Sequence, residues 1–200
     1  MKSTALRLYV TAFVGGLVSL ALELAAARLL APTFGTSELV WTAIIGLILL
    51  YLSVGYAWGG SIADRSPYPA TLYTILVGAG AAITAVPFLA RPVLQLAAGG
   101  MASLNAGLVA GPLLAVLLLF AVPVTLLAFV SPFVIRLALT DLQLSGVTTG
   151  RIYAVSTLGS FLGTFLPNLV LIPLLGTRRT FLLLALVTTL TGLSGLWRHD

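Results

Sequence analysis

Apolar residues run along this chain in blocks of about twenty or more, divided by short clusters of proline, glycine and charge. At about 1.5 Å of rise per residue, a hydrocarbon core of roughly 30 Å takes about 20 helical residues. Six blocks reach that length: approximately 8–31, 39–60, 70–90, 111–136, 151–175 and 179–197. The breaks fall at Pro32-Thr33-Phe34-Gly35, Asp64-Arg65-Ser66-Pro67-Tyr68-Pro69, Arg91-Pro92, Thr140-Asp141 and Gly176-Thr177-Arg178-Arg179. The pattern predicts a single all-α integral membrane domain over residues 1–200. The stretch 93–110 is longer than a hairpin and too weakly apolar to span. It reads either as a short surface helix or as a re-entrant piece.

Three spans followed by three spans allow two units that, with an odd number of spans each, would be inverted relative to one another. Such a set would resemble half of a major facilitator transporter. Arg28 and Arg136 end spans 1 and 4, and the turn at Asp64-Arg65 compares with the one at Gly176-Thr177-Arg178-Arg179.

Polar positions inside the spans are few and patterned. In span 5, Tyr153, Thr157, Ser160, Thr164 and Asn168 fall at i, i+4, i+7, i+11 and i+15, one face of a helix. A lone hydroxyl or amide gains nothing from hydrocarbon, so this face should meet other helices or a wet cavity. Interhelical hydrogen bonding and a ligand-lined cavity are both open. Asn168, next to Pro167, is the member best placed to touch a ligand. Gly55-x-x-x-Gly59, followed by Gly60, and Gly159-x-x-x-Gly163 are small-residue pairs whose expected role is close helix packing.

Span 1 places Gly16, Ser19, Glu23 and Ala27 at i, i+3, i+7 and i+11, so Glu23 belongs to a small-residue face. A carboxylate inside hydrocarbon costs roughly 2.5–3.5 kcal/mol on insertion scales, which calls for a partner or a function. Arg28 lies five positions on, off the ideal i,i+4 spacing. Arg91, at a similar depth, is the better candidate for an interhelical ion pair. The other reading is a cation or proton site.

Composition narrows the chemistry. The 200 residues are 60% hydrophobic and 8% charged, with a mean hydropathy of +1.14, whereas a soluble domain carries about 25% charged residues. Cysteine is absent and the single histidine, His199, is next to last. That leaves no disulfide framework, no Cys/His metal centre, no Ser-His-Asp triad and no His-ligated haem within the spans, so no cofactor or metal is expected. The net charge of +5 is scattered between spans rather than gathered in a patch, which argues against nucleic-acid binding. It reads as topology instead. With the N-terminus inside, Lys2, Arg7, Arg65, Arg136, Arg151 and Arg198 lie on the cytoplasmic side, and Arg91, Arg178, Arg179 and Arg28 on the other. Both termini are therefore expected in the cytoplasm of a cell (inner) membrane protein. Lys2 and Arg7 before an apolar run suggest a signal peptide, but the run is too long and Glu23 precedes the would-be cleavage site, so it is read as a retained span.

Two longer runs point to a family. The first comprises Glu23 to Ser37, then Val40-Trp41-Thr42, then Gly55-Tyr-Ala-Trp-Gly59-Gly60-Ser-Ile-Ala-Asp64-Arg65. The second comprises Ser131-Pro-Phe-Val-Ile-Arg136-Leu and Gly150-Arg151-Ile-Tyr153-Ala-Val-Ser156-Thr157-Leu-Gly159-Ser160-Phe-Leu-Gly163-Thr164. Together they resemble the membrane domain of bacterial spermidine synthase-like transmembrane proteins, in which a major-facilitator-like domain is fused to a spermidine synthase. The Rossmann-like synthase half has no counterpart in these residues, so the resemblance implies the membrane module without the aminopropyltransferase chemistry. Gly60, Asp64 and Arg65 are similar to the cytoplasmic loop motif of major facilitators, although Pro67-Tyr68-Pro69 replaces its basic continuation.

The resemblance implies a membrane module tied to polyamine or related small-cation metabolism, binding or transporting a small molecule. Glu23 would contact an amine, and Arg28, Tyr153, Thr157, Ser160, Thr164 and Asn168 would complete the ligand site. Six helices are half of a twelve-helix transporter, so a homodimer or a partner membrane or cytoplasmic subunit is expected within the lipid bilayer. The alternative is a non-catalytic membrane anchor or assembly subunit. An integral membrane enzyme ranks last, because no histidine or cysteine stands beside Glu23.

Overall fold

A computed structural model describes residues 2–104, 109–139 and 142–197. Six helical rods are long and apolar enough to cross a membrane, and no strand occurs among the described residues. The protein is a multi-pass all-α membrane protein. The first three spans are α1 (Lys2–Phe34), α2 (Glu38–Arg65) and α3 (Pro69–Leu104). The fourth is α4 (Ala110–Ala128) continued by α5 (Val130–Ala138). A short 3₁₀ turn (Leu142–Leu144) leads into the fifth, which comprises α6 (Ser145–Leu166), a π turn (Pro167–Leu171) and α7 (Ile172–Leu175). The sixth is α8 (Thr177–Leu196).

Local chemistry explains the interruptions. α1 runs through Pro32 and stops at Gly35, whose φ of 78° few other residues adopt; Gly176, with φ 79°, separates α7 from α8 in the same way. The fourth span breaks at Phe129 because Pro132 has no N–H for the Ala128 carbonyl and its ring crowds that oxygen. In the fifth span Pro167 opens the π turn, closed by the Ile172 N–H donating to the Pro167 carbonyl.

Two expectations are corrected here. Arg91-Pro92 does not end the third span, since α3 continues through both Pro87 and Pro92 to Leu104. Residues 93–104 are therefore neither a separate surface helix nor a re-entrant piece. Neighbouring helices can re-satisfy the backbone that a membrane proline frees, and Ala97 is buried in the core. The fifth span also starts earlier than expected, at Ser145. The break at Thr140-Asp141, residues 105–108, and Arg198 and His199 lie outside the described residues.

α1 runs through the middle of the bundle and touches α6, α8, α5 and α4, while α2 packs on α4 and α5, and α3 on α4 and α8. One buried cluster, with Leu22, Leu30, Ile44, Ile83, Phe120 and Phe181, fills one half of the bundle. A second, with Leu8, Leu72, Tyr73, Phe133 and Ile152, fills the half nearer the N-terminus. Leu49, Val122, Leu158, Phe161 and Leu186 stay exposed on the outside, an apolar band suited to lipid.

The packing repeats between the two halves. Gly159 and Gly163 of the fifth span press against the backbone of Phe13 and Leu17 in the first, where a Cβ would overlap a carbonyl oxygen. Gly55 and Gly59 of the second span press in the same manner on Thr125, Ala128 and Phe129 of the fourth. The same number of residues separates Gly55 from Gly159 as Gly59 from Gly163. Spans 3 and 6 cross reciprocally: Gly80 faces Ala185 and Thr189, and Gly192 faces Tyr73 and Val77. One constant separation relates Tyr73 to Ala185, Val77 to Thr189 and Gly80 to Gly192. Reciprocal contact of this kind is what a two-fold axis produces. Because successive spans alternate in direction and each half holds three, the three-helix halves are inverted.

Candidate functional site

Two clefts open toward opposite ends of the bundle, and each contains one arginine bound to one Asx side chain. At the end holding the N-terminus, Tyr56, Gly60 and Asp64 of α2, Pro132, Ile135 and Arg136 of α5, and Tyr153 of α6 line an open cleft of about 440 Å³. Arg136 donates from Nε to Oδ1 of Asp64 at 3.0 Å. Asp64 stands in the last turn of α2, where the helix dipole disfavours an anion, and the guanidinium offsets that cost. The pair is open to water, with side-chain exposures of 45% for Arg136 and 74% for Asp64. Exposed pairs contribute about 0.2–1 kcal/mol, so this contact holds position without locking the fold.

At the other end, Leu24, Ala27, Arg28 and Ala31 of α1, Gly35 and Thr36 of the turn, Val40, Trp41 and Ile44 of α2, and Asn168 enclose about 210 Å³. Arg28 donates from Nε to Oδ1 of Asn168 at 3.2 Å. Asn168 occupies the π turn that Pro167 opens.

The clefts are counterparts. One constant separation carries Leu24, Ala27, Arg28 and Ala31 onto Pro132, Ile135, Arg136 and Leu139, which line the two clefts respectively. The separation that relates the glycine pairs carries Asp64 onto Asn168. Asn168, and not the Gly176–Arg179 turn, is therefore the partner of Asp64 in the repeat, while Arg28 matches Arg136 as expected.

The span 5 stripe does not converge on one ligand site. Ser160 donates to the Gly16 carbonyl at 3.2 Å, a contact between helices. Thr164 donates to the Ser160 carbonyl of its own helix. Thr157 is exposed, and Tyr153, 54% exposed, belongs to the N-terminal cleft. The face of α6 that is buried carries Ile152, Gly159 and Gly163 instead, because close backbone approach to α1 leaves room only for small residues there. Gly60 and Asp64 line the N-terminal cleft, whereas Arg65 is exposed beside it.

Glu23 is half-buried and makes no hydrogen bond or ion pair among the described residues. The expected Glu23–Arg91 pair does not form; Arg91 is exposed. The cation that binds an aromatic ring at that end is Arg178, 4.9 Å from the centroid of Phe88. Glu23 immediately precedes Leu24, a wall of the second cleft, without lining the cleft itself. Among the described residues no group of acidic or histidine side chains is arranged to hold a metal.

Sequence reasoning passed over Arg136, Tyr56, Trp41 and Thr36 as site residues. Arg136 was findable, because spans 2 and 4 end on the same side and bring Asp64 and Arg136 to one level. Thr36 and Trp41 lie in the runs that carry the family resemblance, but nothing there marks them as cleft residues, since an aromatic and a hydroxyl near a span end are common without a cleft. No protein-family model, no curated protein and no solved structure matches the chain.

Proposed function

We propose that this chain is a small-molecule-handling membrane module, and that its inverted halves frame a path between the two clefts. The observation that carries the reading is the pair of clefts at opposite ends, each bridged by one arginine–Asx contact supplied by equivalent positions. A module that only anchors a partner has no need of matched, water-accessible clefts at both ends. Weak bridges suit a path that opens, because contacts of this size are exchanged at little cost.

The resemblance to spermidine synthase-like membrane proteins makes polyamines and related small cations the first solutes to test. Glu23 supports that choice, as a carboxylate within a span that has no ion-pair partner among the described residues. A second reading, an assembly subunit, rests on the same residue, since Glu23 outside both clefts is also placed to receive a cation from a partner helix.

Purified protein in liposomes carries single cysteines at Thr36→Cys or Tyr153→Cys, one in each cleft. Spermidine or putrescine should change labelling of these cysteines saturably, and spermidine should accumulate in the liposomes; both effects should vanish in Glu23→Gln. Labelling and uptake indifferent to every solute, in folded protein, would leave the assembly-subunit reading.

A further inference from the structure

The two arginine–Asx contacts occupy equivalent positions but differ in charge. Arg136 meets a carboxylate in Asp64. Arg28 meets only the neutral amide of Asn168, and Nε is the one donor this contact uses. No carboxylate of the described residues lies within ion-pair distance of Arg28. A guanidinium presents five N–H donors in a planar fork that fits a carboxylate side-on, so both terminal nitrogens of Arg28 are left for an outside acceptor. The cleft around it is walled on the apolar side by Ile44 and Trp41, and Thr36 and Asn168 add polar groups. A cleft of about 210 Å³ has room for a small organic acid.

From this difference between the halves we infer that the Arg28 cleft binds a small carboxylate, which supplies at the free terminal nitrogens of Arg28 the negative charge that the Asp64 side chain supplies in the other half. The inference goes beyond the proposed function, which assigns a cation to Glu23. The Asn168 amide, holding Nε through its oxygen, turns its N–H₂ group to donate to the same anion. Trp41 covers the carbon portion of the ligand. The same chemistry could come from a phosphate on an anionic lipid headgroup, so the source has to be separated by experiment.

The test uses the full chain in nanodiscs of phosphatidylcholine, with Trp58→Phe and Trp197→Phe so that Trp41 is the only fluorophore of its kind. Acetate, benzoate and succinate are titrated, with spermidine as the cation control. At least one carboxylate should shift Trp41 emission saturably and spermidine should not. Arg28→Gln should weaken that carboxylate at least tenfold. Asn168→Asp should do the same while melting no lower than the parent, because the new side chain supplies the missing counter-charge from within.

Carboxylate binding that survives Asn168→Asp in folded protein would overturn the assignment. So would the absence of any saturable response. In a parallel arm the nanodiscs contain phosphatidylglycerol. A Trp41 shift caused by that lipid alone, with no soluble carboxylate altering the signal, would show a headgroup site and overturn the carboxylate proposal. None of these outcomes depends on solute accumulation or on Glu23, so this inference and the transport reading fail separately.

Discussion

Arg136 Nε lies 3.0 Å from Asp64 Oδ1, tying the end of the second span to the end of the fourth. The equivalent contact from Arg28 to Asn168 ties the first span to the fifth at the other end of the molecule. These two bridges, with the glycine contacts beneath them, define the inverted repeat and the clefts that it creates.

Removing the charged bridge should change access more than stability. Asp64→Ala, which removes the acceptor as well as the charge, is expected to lower unfolding free energy by no more than about 1 kcal/mol, as for other exposed pairs. It should nevertheless speed maleimide labelling of a cysteine at Tyr153 several-fold. The chain has no native cysteine, so a single-cysteine variant reports this cleft alone. Unchanged labelling would show that the bridge does not hold the cleft.

The glycines divide into two groups with opposite forecasts. A Cβ at Gly163 would strike the Leu17 carbonyl, and one at Gly59 would come within 2.8 Å of the Phe129 Cα. Neither obstacle is a flexible side chain, so Gly163→Ala and Gly59→Ala should cost about 1–3 kcal/mol each, the usual range for overpacking. A Cβ at Gly60 would lie 3.9 Å from the Pro132 Cβ, ordinary contact distance. Gly60→Ala should melt within a degree or two of wild type, and thermal melts in one detergent compare all three.

Much of this was legible in the chain, and the gaps have physical causes. Six apolar blocks and their breakers located the spans, because length and hydropathy are local properties. The glycine pairs foretold close packing correctly at both Gly55/Gly59 and Gly159/Gly163. The third span was cut short because Arg91-Pro92 carries strong local break signals that tertiary contacts at Ala97 override. The stripe from Tyr153 to Asn168 lost its unity for a different reason. A helical face sets direction only, and α1 is seated on the glycine face beside it. The match between Asp64 and Asn168 could not be seen without knowing which spans touch.

Glu23 should behave as an unpaired group. Glu23→Gln is expected to leave the melting temperature unchanged or raised, since no cation is lost and a charge is removed from the span. A double-mutant cycle with Arg91→Ala should give a coupling energy below about 0.5 kcal/mol, within the additivity expected of independent sites. A larger coupling would restore the ion pair that the structure lacks.

Tyr51 is 9% exposed, and its hydroxyl has no hydrogen-bond partner among the described residues. An unsatisfied buried polar group costs about 1–3 kcal/mol. Tyr51→Phe should therefore stabilise the protein by up to that amount in chemical or thermal unfolding. A loss of stability would mean that the hydroxyl has an acceptor in the membrane-embedded protein.

The central claim is that the two clefts are opposite ends of one path. A short bismaleimide bridge between cysteines placed at Arg28 and Asn168 holds the second cleft shut. Hydrogen–deuterium exchange of residues 56–65, which wall the N-terminal cleft, is then compared before and after bridging. Linked ends predict faster exchange in 56–65 once the far cleft is fixed, and likewise faster exchange in residues 35–44 when positions 64 and 136 are bridged. Exchange at each end that ignores the bridge at the other would contradict the account.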